Sequence, residues 1–130
     1  MEISIMGNYG KTAIDVVNNY LNGQDLCIAW NNQIRKYTCS ESSIKKPCPK
    51  HAFLGLCEAG LVIGIPKGTC PNSNNENKIY ALSLYRLLKG NLTLSPKELH
   101  RLYEKERGKS LTYNSQADVV ISLFREGLLN

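Results

Sequence analysis

Residues 46–66 read KPCPKHAFLGLCEAGLVIGIP, and they hold a helix start, a close-packing face and a helix stop within one short span. Cys48 stands where an N-cap is expected. Pro49 suits the first helical position, where a missing N–H costs nothing and φ is already helical. Ala52, Phe53, Leu56, Cys57 and Gly60 then follow the spacing of a buried stripe, while Gly55 and Ala59 form a strip of small residues that lets another backbone come close. Gly60 offers the left-handed turn that ends a helix, and Leu61 can fold back onto its last turn. The stretch predicts a short, deeply packed helix.

Further helices are expected on both sides of it. Upstream, Glu2 to Met6 reads as a short strand or ordered arm, and Asn8 precedes a helical pattern at Ala13, Ile14, Val17, Tyr20 and Leu21 that Gly23 ends. Asp25 caps a second helix with Leu26, Ala29, Trp30, Ile34 and Tyr37 on one side, and Thr38 to Lys46 is polar and loop-like. Downstream, Pro66 to Asn77 is the clearest linker, followed by a helix marked by Tyr80, Ala81, Leu84, Tyr85 and Leu88 and stopped by Gly90. Ser95-Pro96-Lys97-Glu98 is a capping box with proline at N1, opening a helix that carries Leu99, Leu102 and Tyr103 inward and ends at Gly108. A last helix, capped by Asn114 or Ser115, buries Ala117, Val120, Ile121, Leu123 and Phe124 and keeps Asp118, Ser122 and Arg125 outward. The expected fold is all-α: six helices in one compact domain over residues 1–130.

The two halves read as one unit written twice, about 8–66 and 75–130. Gly23 matches Gly90 and Gly60 matches Gly127 at the same offset of 67, as do Val17 and Leu84, Leu21 and Leu88, Leu56 and Leu123, Leu61 and Leu128. Each half then holds three helices, with the extra residues of the first half falling in the loop at Thr38 to Lys46.

A chain of 130 residues with 42% apolar content can enclose one core. No apolar run approaches the roughly eighteen residues of a membrane span, and Glu2 stands where a secretory signal would carry positive charge. A cytoplasmic location is therefore expected, and with it five cysteines kept as reduced thiols. The net charge of +5 is concentrated: Arg35, Lys36, Lys45, Lys46 and Lys50 face only Glu41 between positions 35 and 50. The later basic cluster, Lys97 to Lys109, is interleaved with Glu98, Glu104 and Glu106 and reads as a solvated helix face with i,i+4 pairing, on which His100 is a surface residue.

Four chemistries can be weighed on these residues. Gly7-Asn8-Tyr9-Gly10-Lys11-Thr12 resembles a phosphate-binding loop, but the first glycine of that motif would have to stand at Ile5, and no parallel-sheet pattern follows. Cys48, His51, Cys57 and Cys70 look like a zinc set, yet at about 100° per residue Cys57 is turned roughly 180° from Cys48 and about 120° from His51, so a helix keeps them apart. No metal or cofactor is expected. Cys48 beside Lys45, Lys46 and Lys50, with His51 one turn on, has the ingredients of an activated thiol, though no residue to orient His51 is identifiable. The fourth is an anion site at the helix start, where the N–H groups of Lys50 and His51 and the helix dipole meet Lys45, Lys46 and Lys50, with Ser42 and Ser43 as further donors.

The segments Cys48 to Glu58 and Asn114 to Val120 carry a Cys-Pro-Lys…Phe-Leu-Gly-Leu-Cys-Glu core and an Asn-x-Gln-x-Asp-Val-Val motif. From Tyr9 onward the chain resembles a family of small bacterial proteins known only as a domain of unknown function. That resemblance implies no catalytic residue, substrate or partner. The functional expectation therefore rests on the residues: a small helical binding or regulatory module recognising an anionic partner, nucleic acid among the candidates, through the basic loop. The alternatives are a thiol- or histidine-dependent enzyme centred on Cys48 and His51, and a protein-interaction module. No complete nucleic-acid-binding signature is present.

Overall fold

The computed structural model describes residues 7–69 and 76–130. The expected strand at Glu2 to Met6, Cys70 and half of the expected linker lie outside the described residues, and the linker's last two residues, Glu76 and Asn77, are helical. Within them the chain is helical: α1 (Asn8–Asn18), α2 (Leu26–Ile34), α3 (Glu41–Lys45), α4 (Pro47–Glu58), α5 (Glu76–Lys89), α6 (Pro96–Arg107) and α7 (Gln116–Arg125). The all-α expectation holds. The helix beyond the six expected is α3, a single turn in the segment that reads as loop. Ser40 caps it by accepting from Ser43 N, Glu41 and Lys45 complement its two ends, and buried Ile44 anchors it.

Local signals fix most helix boundaries. Asp25 accepts from the N–H groups of Cys27 (2.9 Å) and Ile28 (3.1 Å). The capping box is complete: Glu98 N donates to Ser95 Oγ (3.2 Å) and Ser95 N to Glu98 Oε1 (2.9 Å). Losing the Ser95 hydroxyl should therefore cost about 1 kcal/mol. Gly108, at φ +74°, closes α6. α1, by contrast, ends at Asn18 rather than near Gly23. Its buried face is Gly10, Thr12, Ala13 and Val16, and Leu21, expected inside, is 71% exposed beyond the helix.

α4 and α7 form the centre. Every residue from Ala52 to Cys57 and from Gln116 to Leu123 is buried, because each helix is flanked by others on several sides. α1 packs mainly on α7, and α5 mainly on α4. Trp30 and Phe53, both fully buried, place their rings 5.4 Å apart at a 30° tilt between α2 and α4, a pairing worth about 0.5–1.5 kcal/mol beyond area burial.

Gly55 sits where α5 crosses α4: a Cβ built on it would lie 2.6 Å from the Cα of Lys78. Its absence lets the two backbones approach, and Lys78 then reaches Glu58 in a largely buried ion pair. Ala59, expected to share this crossing, is instead the half-buried C-cap of α4.

Both central helices end in the same way. Gly60 (φ +81°) is followed by Leu61 N donating to Leu56 O (3.1 Å), and Gly127 (φ +72°) by Leu128 N donating to Leu123 O (2.9 Å). The chain then pairs with itself in an antiparallel bridge between Val62 and Leu129. Ile63 N donates to Leu128 O (2.9 Å) and Asn130 N to Leu61 O (2.8 Å).

Candidate functional site

The helix start of the expected anion site lies two residues earlier than the sequence predicts and carries two prolines. α4 begins at Pro47, with Lys46 rather than Cys48 as N-cap and no side chain capping it. Lys50 and His51 therefore stand at the fourth and fifth positions of the helix rather than the second and third. Pro47 and Pro49 carry no N–H, and Lys46 N donates to Ser43 O (3.4 Å). Of positions 47–49, Cys48 supplies the one backbone N–H.

The basic loop is also tied up within itself. Tyr9 Oη donates to Ser43 O (2.9 Å), Ser42 Oγ lies 3.1 Å from Ser40 Oγ, and Ser43 N is held by the Ser40 cap. Lys45 pairs loosely with Glu41 at 3.7 Å, both well exposed, and Lys46 Nζ lies 6.0 Å from the centre of the Tyr9 ring. Ser42 and Lys45 are exposed, and Ser43, Lys46 and Lys50 are half-buried.

Cys48 and His51 are half-buried on α4 one turn apart, while Cys57 is fully buried. Burial, and then the neighbouring Lys50 charge, lower the His51 pKa below the ordinary histidine value. His51 is therefore neutral at pH 7 and able to accept a proton.

A second site, read in the sequence as a solvated face, is a cleft of about 420 Å³ lined by Glu76, Ile79, Tyr80, Tyr103, Arg107, Lys109 and Leu111. Tyr80 on α5 and Tyr103 on α6 stack with ring centres 4.3 Å apart, making an aromatic floor. Arg107 Nη1 donates to Tyr103 Oη (2.8 Å), with the guanidinium 5.7 Å from that ring's centre. Gly108 turns the chain so that Lys109 follows Arg107 onto the same rim.

Behind the floor stands His100, which the sequence places on the surface and the structure leaves only 6% exposed. It is buried because both ring nitrogens find partners. Nε2 lies 2.9 Å from Leu111 O, which can only accept, so Nε2 carries the proton; Nδ1 then accepts from Tyr80 Oη at 2.5 Å. Burial pushes the Tyr80 pKa well above the ordinary phenol value, so this hydroxyl stays a donor. Glu104 Oε2 accepts from Leu111 N (2.7 Å) and fixes the same loop. The one readable hint was the Tyr103…Arg107 spacing of one helical turn beside Gly108; the partners of His100 lie 20 and 11 residues away.

The family described as "Family of unknown function (DUF6979)" matches residues 6–130. The chain belongs to DUF6979. No curated protein and no solved structure matches it. In this DUF6979 chain the Asn114 to Val120 segment opens α7, and Gln116 and Asp118 are buried, Asp118 against its expected outward placement. Gln116 Nε2 donates to Asn77 Oδ1 (3.0 Å). Asp118, 5% exposed, accepts from Gly7 N (2.9 Å) and Gly10 N (2.7 Å), and from Ser122 Oγ at 3.3 Å.

The phosphate-loop look of Gly7 to Thr12 thereby has a physical explanation. The segment is an anion-binding helix start, and its anion is the chain's own Asp118 carboxylate. Burial raises the Asp118 pKa, opposed by the N–H groups of Gly7 and Gly10 and by the Ser122 hydroxyl. No helix among the described residues is long and apolar enough to cross a membrane.

Proposed function

We propose that this chain is a small helical binding module that recognises an anionic partner, with the α5–α6 cleft as its contact surface. The observation that carries the reading is the pair Arg107 and Lys109 at the mouth of a tyrosine-floored cleft. Neither cation has a carboxylate partner among the described residues. Clefts of this size with a few convergent polar groups are the usual form of ligand sites. The basic loop at Lys45, Lys46 and Lys50 adds general positive field, which accelerates encounter more than it fixes a pose.

The test is fluorescence anisotropy with short labelled single-stranded DNA and RNA over a salt series. Binding should weaken with salt at a log–log slope of about −0.7 per phosphate contacted. Replacing Arg107 and Lys109 together by Ala should flatten the slope by about one unit or more. Flattening by the Lys45, Lys46 and Lys50 triple replacement instead would move the contact to the loop, and no binding of either polymer at low salt would remove nucleic acid as the partner.

The lowered pKa of His51, one turn from Cys48, favours a second reading, a thiol-dependent enzyme. It requires Cys48 to alkylate as a thiolate at neutral pH on a background with the other cysteines replaced by Ser. An apparent pKa at or above about 8.5, the unperturbed value, would exclude it.

A further inference from the structure

Resting on the cleft as the contact surface, we propose its ligand class: a small molecule with one oxyanion end, phosphate or carboxylate, joined to a compact apolar or aromatic body. Three donors line the cleft, two of them in direct contact. Tyr103 is 3% exposed, its oxygen accepts from Arg107, and its own hydroxyl hydrogen has no acceptor among the described residues. The Arg107 guanidinium spends one N–H on that bond and keeps the rest of its fork free. Lys109, just past Gly108, supplies an ammonium. A buried phenol donor beside a guanidinium held by that same phenol is suited to an oxygen anion, because charge-assisted hydrogen bonds are the strong ones.

The α6 C-terminus would repel an anion through its free carbonyls, but this end is partly neutralised. Glu104 O accepts from Gly108 N (2.9 Å) and Lys109 N (3.2 Å), and Lys105 O from Gly108 N (3.2 Å).

The rest of the cleft sets the remainder of the ligand. Ile79 is 54% exposed, a large apolar side chain on the wall with Leu111 and the Tyr80 ring. Tyr80 offers no donor to an anion, since its proton is committed to His100 Nδ1. That region favours an uncharged body. Glu76 stands in the lining as a carboxylate, so a second anionic group there meets repulsion. Two cations and one carboxylate fit a single charged end, and a space of about 420 Å³ fits one small molecule rather than a run of phosphates.

Isothermal titration of the full chain with phenyl phosphate, benzoate and inorganic phosphate tests this. Phenyl phosphate or benzoate should bind about tenfold tighter than inorganic phosphate, through burial of the ring; which of the two binds tighter names the oxyanion. Tyr103→Phe, which keeps the ring and removes the donor, should weaken the better probe by about tenfold. Arg107→Ala should weaken it at least as much, and because Arg107 is exposed this variant leaves the core intact. Equal affinity for inorganic phosphate and both ring-bearing probes, or unchanged binding by Arg107→Ala, overturns the ligand class. If neither ring-bearing probe binds while oligonucleotides still bind through Arg107 and Lys109, the anion-binding reading survives and this inference falls. If nothing anionic binds, both fall.

Discussion

Where α5 crosses α4 the close approach is made by Gly55 on the central helix, whereas where α1 meets α7 it is made by Gly10 on the outer one. A Cβ on Gly55 would come within 2.6 Å of the Lys78 backbone, and one on Gly10 would come within 2.7 Å of Ser122 Cβ. Positions 67 apart play matching parts: Gly55 and Ser122 are both the contact residue of a central helix. The short approach is kept at both crossings, while the helix that supplies the glycine changes. The same offset relates the two hydrogen bonds of the terminal bridge, since Ile63 to Leu128 becomes Asn130 to Leu61. On these coincidences we propose a duplicated three-helix unit, with α3 as an addition to the first copy, whose copies interlock through their first helices.

Interlocking has the largest consequence that can be tested. If α1 needs α7 and α5 needs α4, neither half can bury its central helix alone. Peptides covering residues 8–66 and 75–130 should each lack cooperative thermal unfolding and recover it on mixing in equal amounts, as read by circular dichroism. A half that unfolds cooperatively by itself would show that the halves are separate packing units.

The two glycines are next. Gly55→Leu should overpack the α4–α5 crossing and destabilise by about 1–3 kcal/mol or more. Gly10→Ala should destabilise in the same range, because the added carbon meets Ser122 and Asp118 together; Asp118 Oδ1 would stand 2.8 Å away. Denaturant melts settle the comparison: a harmless Gly10→Ala would mean that α1 can shift where α5 cannot.

A smaller effect separates the helix starts. α4 opens on two prolines at a half-exposed surface, and α7 opens on Ser115 at φ +70° with no side-chain cap, carrying Asp118 into the core. Asp118→Asn keeps the shape but replaces one acceptor oxygen by a donor that faces the Gly7 or Gly10 N–H. It should cost about 1–3 kcal/mol, the penalty for stranding a buried donor. Retained stability would mean the amide turns and α1 moves away, which loss of hydrogen-exchange protection at Gly10 would reveal.

Much of this fold could be read from the sequence because its punctuation is local. Asp25, Ser95 with Glu98, Gly60, Gly108 and Gly127 act within a turn of the residues that select them, and those boundaries were recovered. The sequence pattern puts the start of α4 two residues late because Pro47 and Pro49 are both suited to a first turn and only the earlier one occupies N1. A periodic pattern puts Asp118, Ser122 and His100 outside because it assumes that polar side chains face water. Their burial depends on partners elsewhere, Gly7 standing 111 residues from Asp118. The cleft was hidden for a related reason: Arg107 and Lys109 sit among glutamates in the sequence, and only the fold shows that Glu106 turns to Arg86 (2.7 Å) and Glu104 to Leu111, leaving the two cations unpaired among the described residues.

The smallest expected effect returns to the offset of 67, which relates His51 on α4 to Asp118 on α7. Both are shifted toward their neutral forms, mainly by burial: the histidine pKa is lowered and the carboxyl pKa raised. The signs oppose one another in stability. Between the lowered value of His51 and about 6.5, the unfolded chain binds more protons than the folded one, so stability is lost as pH falls through that window. For Asp118 the folded chain binds more protons, so its contribution is full below about 3.9 and is lost as pH rises through its folded value. Urea melts between about pH 5 and 7 should show wild-type stability rising with pH, and His51→Gln should flatten that rise. A slope unchanged by His51→Gln would place the titrating group elsewhere and leave His51 solvated, unlike its counterpart on α7.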